Sequence, residues 1–154
     1  MMTSYIYIAG EDQLPYGSIG SYPKSVHKNR VIFKSLLDME SFYFEPSFNE
    51  QEDSFFSYSA HFTLKNYQVA SIDNYLPTEN NKFLSPKQKK ALDELYNFIA
   101  AYFDNAKVLG KLEILYCLNG EENKLLKIKK QRTFAELTLE DLYADDLKFL
   151  TIIK

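Results

Sequence analysis

Apolar and polar positions alternate with a period of two over much of this chain, and the spacing becomes helical in one long stretch. Residues 4–9, SYIYIA, put Tyr5 and Tyr7 on one face and Ile6 and Ile8 on the other, the pattern of a strand covered on both sides. Between residues 10 and 23, Gly10, Gly17, Gly20, Pro15 and Pro23 break any period, which predicts a loop. RVIFKSLL at 30–37 suits a strand or a short helix, and the reading leans to strand. ESFYFE at 40–45 alternates Phe42 and Phe44 against Tyr43 and Glu45, predicting a strand with a wet side that ends at Pro46. In SFFSYSAHFTL, residues Phe56, Tyr58, Ala60, Phe62 and Leu64 share one face, the clearest half-buried strand pattern in the chain. Lys65 and Asn66 would turn it into YQVASI as an antiparallel hairpin partner.

Ser85-Pro86-Lys87-Gln88 is a helix start, because Ser85 can cap the amide of Gln88, Pro86 suits the first helical position and Gln88 can reach back. Leu92, Leu95, Tyr96, Ile99, Tyr102 and Phe103 then recur at three and four residue spacing. Lys89, Lys90, Asp93, Glu94 and Asn97 fall on the other side, so one amphipathic helix is expected at about 86–104. KLEILYCL and KLLKIKKQ flank Asn119-Gly120-Glu121-Glu122, a hairpin signal in which Leu112, Ile114, Tyr116 and Leu118 would face the core. Thr138 with Asp141 three residues on opens a short helix to about Asp145, and KFLTIIK closes the chain as a strand. The sum is a single α+β domain over residues 1–154: a mainly antiparallel sheet of five to seven strands, one long amphipathic helix and one short helix.

Composition narrows the function classes. A chain of 154 residues with 45% hydrophobic and 25% charged side chains can bury roughly two thirds of its unfolded surface, enough for a core without staples. One cysteine and two histidines make neither a disulfide nor a thiolate-rich zinc site, and no metal or cofactor is expected. No run approaches the ~20 apolar residues of a membrane span, and MMTSYIYIAGEDQ lacks the basic start of a signal peptide, so a soluble cytoplasmic protein is expected. The net charge of −3 argues against direct nucleic-acid or anionic membrane binding.

Candidate chemistry is sparse. His27 and His61, with Lys28 or Lys65, are the only materials for a ribonuclease-like acid and base pair. Their spacing gives that pair no support, and solvated or locally bonded histidines are the plainer reading. Cys117 lies mid-strand with no histidine nearby and reads as a small buried hydrophobe. Gly17-Ser18-Ile19-Gly20 lacks the spacing and the following lysine of a phosphate loop. Charge blocks are the stronger feature, although such a block is most often only a solvated face. Asp38, Glu40, Glu45, Glu50, Glu52 and Asp53 run without a Lys or Arg and interleave with Phe42, Tyr43, Phe44 and Phe48. Glu136, Glu140, Asp141, Asp145 and Asp146 surround Tyr143 in a second block. Lys82, Lys87, Lys89 and Lys90, and Lys124, Lys127, Lys129, Lys130 and Arg132, form two basic ones. Carboxylates beside aromatics suit an interface with a basic protein, where complementary fields speed encounter and desolvated anchors hold it. The basic arm offers no row of stacking aromatics for nucleic acid.

With its single-domain size, its acidity, its SYIYIA start, its turn-rich YGSIGSYPKSV and its acidic aromatic ESFYFEPSFNEQED, the chain resembles the small immunity proteins of bacterial contact-dependent growth inhibition and related polymorphic toxin systems. The resemblance covers the first half of the chain and carries over no individual residue. It implies a cytoplasmic protein that binds the C-terminal toxin domain of a cognate effector, often a nuclease, and blocks its active or substrate-binding surface. The residues expected to bind such a basic partner are Tyr43, Glu45, Glu50, Glu52 and Asp53, with Phe48 as an apolar anchor and Glu140 and Asp141 as a second patch. The free chain would be a monomer or a weak dimer. Two other classes stand beside this one: a small ribonuclease-like or nucleotide-processing enzyme using His27 and His61, and a regulatory subunit whose aromatic surface makes a homodimer.

Overall fold

Four runs of apolar residues form the centre of one sheet. The computed structural model describes residues 3–14, 41–49 and 51–154. Its strands are β1 (Ser4–Gly10), β2 (Glu45–Pro46), β3 (Phe48–Asn49), β4 (Ser54–Phe55), β5 (Tyr67–Ile72), β6 (Lys111–Leu118), β7 (Ile128–Thr133) and β8 (Lys148–Ile153), with helix α1 (Pro86–Asp104) between β5 and β6. Six of them make a mixed sheet in the order β2-β5-β1-β6-β8-β7, in which only β7 and β8 run parallel, while β3 and β4 form a small hairpin of their own. The architecture is α+β, as the alternation pattern predicts.

Helix α1 begins where expected. Ser85 accepts from the Gln88 amide at 3.2 Å, and the Gln88 side chain accepts from the Ser85 amide at 2.9 Å, so two orphan donors are satisfied reciprocally. Its Leu92, Leu95, Phe98 and Ile99 pack with Ile6, Ile8, Leu112, Ile114, Leu150 and Ile152 into the larger core. Tyr102 ties the last turn of the helix to the sheet: its hydroxyl donates to the Lys111 carbonyl and accepts from the Glu11 amide, both at 2.8 Å. A Cβ at Gly10 would lie 2.9 Å from that ring, so glycine is what lets the helix approach β1 so closely. Glu94, read from its spacing as a solvent-facing residue, is buried and accepts from the Ser41 amide at 3.0 Å.

On the other side of the sheet Tyr7, Ala9, Ala70, Leu115, Cys117 and Phe149 form a second core with Phe62 and Leu147. Here the structure corrects the sequence reading. Of the expected strand SFFSYSAHFTL only Ser54 and Phe55 are extended in a ladder, and they pair with β3. Residues 56–64 cross the sheet as an irregular strap that forms no hairpin with β5, whose two edges belong to β1 and β2. Side chains replace the ladder: Tyr58 N donates to Gln68 Oε1, Ala60 N to Asn123 Oδ1, and Thr63 N and Leu64 N both to Glu113 Oε1.

The second expected hairpin is also replaced. Gly120 adopts φ +91° and the chain turns there, but β8 rather than the following segment takes the edge of β6. The reason lies in composition. Phe149, Leu150 and Ile152 make β8 apolar on both faces, whereas IKKQRT is charged and suits only an edge. Of the expected strand at 40–45, Phe44 makes an isolated bridge and Glu45 joins the main ladder together with Pro46, a residue tolerated on an edge. Thr138 and Asp141 do form a capping box, on a single 3₁₀ turn, Leu139–Leu142, shorter than the helix expected. The leaning to strand at 30–37 and most of the predicted loop lie outside the described residues.

Candidate functional site

The β2 edge combines exposed aromatics, a carboxylate and a concavity. Phe42 and Phe44 alternate inward as their spacing predicts, stacked with centroids 5.5 Å apart, and Phe44 meets Phe98 of the helix at 5.1 Å. These anchors, with the Ser41 to Glu94 bond, turn Tyr43 and Glu45 outward. Glu45 and Pro46 pair with Ala70 and Val69, and two residues before Glu45 the chain has left the ladder, where the Tyr43 amide donates to the Ser71 hydroxyl at 3.1 Å.

The divergence opens a groove of about 380 Å³ lined by Tyr5, Tyr43, Glu45, Ile72, Asn74 and Tyr75, among others. Three large side chains on its rim are accessible: Tyr43 is 61% exposed, Ile72 44% and Tyr75 36%. Lys87 Nζ lies 5.4 Å from the centroid of the Tyr75 ring, a cation–π contact with the first turn of α1.

The structure separates the residues expected at a binding site. Tyr43 and Glu45 share the groove. Phe48 is buried, its ring 5.1 Å from that of Phe55, and serves the small hairpin instead of offering a free anchor. Glu52 and Asp53 are exposed at the β3–β4 turn, where Asp53 adopts φ 49°, and Glu50 lies outside the described residues. Glu140 is exposed, whereas Asp141 is buried: its carboxylate caps the Thr138 amide at 3.0 Å and meets Arg132 Nε at 3.4 Å. The second patch belongs to the connection between β7 and β8, on the opposite side of the strand order from β2. The sequence does not single out Ile72 and Tyr75, because Ile72 reads as part of a hairpin strand and Tyr75 falls in no predicted element. An aromatic two residues after Asp73, in a polar turn, was the available signal.

Groups with catalytic potential are tied down. The His61 ring Nε2 is 2.7 Å from the Lys124 carbonyl, and His27 lies outside the described residues. Burial pushes the Cys117 thiol up to about 12, which keeps it protonated at neutral pH. Lys148 is buried and donates to the carbonyls of Asp141 and Tyr143 at 2.6 and 2.7 Å, and burial pushes its amine down to about 8. Burial also pushes the Asp73 carboxyl up to about 6. Among the described residues no group of three or more His, Cys, Asp or Glu side chains could hold a metal ion. No helix among them is long and apolar enough to cross a membrane. Comparison with protein-family models, curated proteins and solved structures gives no match.

Proposed function

We propose that this chain is a binding protein that docks a basic protein partner on its β2 edge, and that the partner is a toxin domain, such as a nuclease, whose substrate surface it occludes. The observation that carries this reading is the groove whose exposed rim of Tyr43, Ile72 and Tyr75 stands beside the Glu45 carboxylate. Aromatic rims of this kind supply the anchors that dominate interface energies. A net charge of −3 and the exposed Glu52 and Asp53 on the turn that follows favour a basic partner and speed its approach. A nuclease domain carries positive charge where it holds phosphates, so carboxylates placed there compete with the substrate backbone. The site is also held in place by Phe44, Phe98 and Glu94, which lowers the ordering cost of docking. No catalytic residue, cofactor or nucleic-acid contact enters this reading, which places the chain in the cytoplasm.

The test is coexpression with the protein encoded immediately upstream, followed by pull-down and calorimetry. A one-to-one complex whose toxicity this chain suppresses is the expected result. Tyr43→Ala should then cost about 2 kcal/mol of binding, as truncating a central aromatic anchor does, and Glu45→Lys should slow association most at low salt. An expressed, folded neighbour that binds nothing here removes the reading and leaves the two-histidine enzyme to be screened by His27→Ala and His61→Ala.

A further inference from the structure

The two edges of the main sheet are finished differently. At β2 the ladder is two residues long, contains a proline without an N–H, and is closed off by the Ser71 hydroxyl. At β7 six residues lie beside β8 in parallel register from Ile128 with Lys148 to Thr133 with Ile153, and nothing pairs with their outer edge among the described residues. The amide of Ile128 donates to the Leu147 carbonyl at 3.2 Å. Because the direction of backbone groups alternates along a strand, Ile128, Lys130 and Arg132 point their amides and carbonyls at β8, and Lys129, Gln131 and Thr133 point theirs away. The outer Gln131 carbonyl accepts from Arg132 Nη1 at 2.9 Å, its one hydrogen bond among the described residues.

Charge decides what can pair there. Lys129 and Lys130 form no salt bridge among the described residues, and Lys127 and Arg132 flank them. A second copy adding its own β7 would bring these cations together, which is how edge lysines guard a sheet against its like. A strand of opposite charge is attracted by Lys129 and Lys130, whereas Lys127 and Arg132 already meet Asp146 and Asp141. Leu125, 88% exposed just before the strand, offers an apolar contact at one end.

We infer that the outer edge of β7 is a strand-addition site for an extended acidic segment of a partner protein, which joins the sheet as a further strand through Lys129, Gln131 and Thr133 and through the side-chain charges of Lys129 and Lys130. Main-chain bonds would supply affinity and the cations would supply selectivity. This surface is separate from the β2 groove, and neither proposal depends on the other.

The experiment uses the isotope-labelled full chain and a blocked eight-residue peptide of alternating Glu and Val, with amide exchange followed by NMR. At saturating peptide, exchange should slow at least tenfold at Lys129, Gln131 and Thr133 and change less than twofold at Lys130 and Arg132. A peptide with Lys for Glu should have no effect, nor should the acidic peptide N-methylated at alternate residues, which keeps the charge and blocks the ladder. Gln131→Pro removes an outward donor without touching the β8 ladder and should abolish the protection. Lys129→Glu with Lys130→Glu serves the same purpose if the proline variant does not fold. Absent protection, equal protection by the Lys peptide, or protection that grows with chain concentration in the absence of peptide would each overturn the inference.

Discussion

The two faces of the main sheet are covered in opposite ways. One lies under α1, whose backbone satisfies itself, so the sheet beneath it is apolar at Ile6, Ile8, Leu112, Ile114, Leu150 and Ile152, and its buried Lys148 turns instead to the Asp141 and Tyr143 carbonyls of the β7–β8 connection. The other lies under the irregular strap at 56–64, whose amides have no ladder, so the sheet must supply acceptors from within its own buried face. Glu113 on β6 and Gln68 on β5 do this, both almost fully buried. The Glu113 carboxylate accepts from Thr63 N at 3.0 Å, Leu64 N at 2.9 Å and Thr63 Oγ1 at 2.9 Å, and Lys111 Nζ stands 3.6 Å away. Gln68 accepts from Tyr58 N and donates to Ser57 Oγ and the Leu64 carbonyl. A buried polar group in a strand can therefore mark what lies over it, because an irregular cover is stable only where its backbone finds partners.

The sharpest way to break this comparison is to remove the acceptor. Glu113→Leu leaves two amides and a hydroxyl without their partner and should cost about 3 to 4 kcal/mol in urea unfolding, with hydrogen exchange accelerating at 57–64 well before α1 responds. Leu95→Ala on the helical face should cost about 3 kcal/mol through its cavity and raise exchange across both faces together, since no local strap can open. Equal exchange profiles for the two variants would show that the faces do not differ as described.

Asp73 sharpens the same contrast, being a half-buried carboxylate whose hydrogen bonds come from the Tyr75 and Leu76 amides of its own turn. Its Oδ1 accepts from the Leu76 amide at 2.9 Å, within its own turn, and burial lifts it to about 6 from an ordinary 3.8. Because the folded state raises this acid's pKa, the unfolded chain ionises first. Stability is then full below about 4, falls as pH rises toward 6 and stays reduced above it. Asp73→Asn keeps the acceptor and removes the charge, so it should stabilise the protein by about 1 to 2 kcal/mol at pH 7, and the gain should vanish by about pH 4 in paired thermal melts. A gain that is constant with pH would mean that ionisation is not its source. The smallest effect belongs to the helix start: Ser85→Ala should cost about 1 kcal/mol, visible as a lower urea midpoint with unchanged slope.

Sequence by itself determined the elements whose stabilising contacts are local. The capping box at Ser85, the spacing of Leu92, Leu95 and Ile99, the double-sided apolar pattern of SYIYIA, the Thr138 cap and the inward turn of Phe42 and Phe44 were all legible, because each depends on residues within one or two turns or on a single period. So was half of the groove, since Phe42 and Phe44 facing inward require Tyr43 and Glu45 to face outward. Tertiary structure decided the rest. The strap alternates like a strand, yet Glu113, some fifty residues away in sequence, takes the amides a ladder would have used. The Asn119-Gly120 turn is real, yet β8 displaces the neighbouring segment from β6, because two buried faces demand a strand apolar on both. Ile72 and Tyr75 became part of a site only when the end of β5 was set beside the diverging residues 41–44. Period and capping express short-range sterics and hydrogen bonding, whereas strand order and backbone satisfaction are settled by competition among distant segments for the same edges and the same buried acceptors.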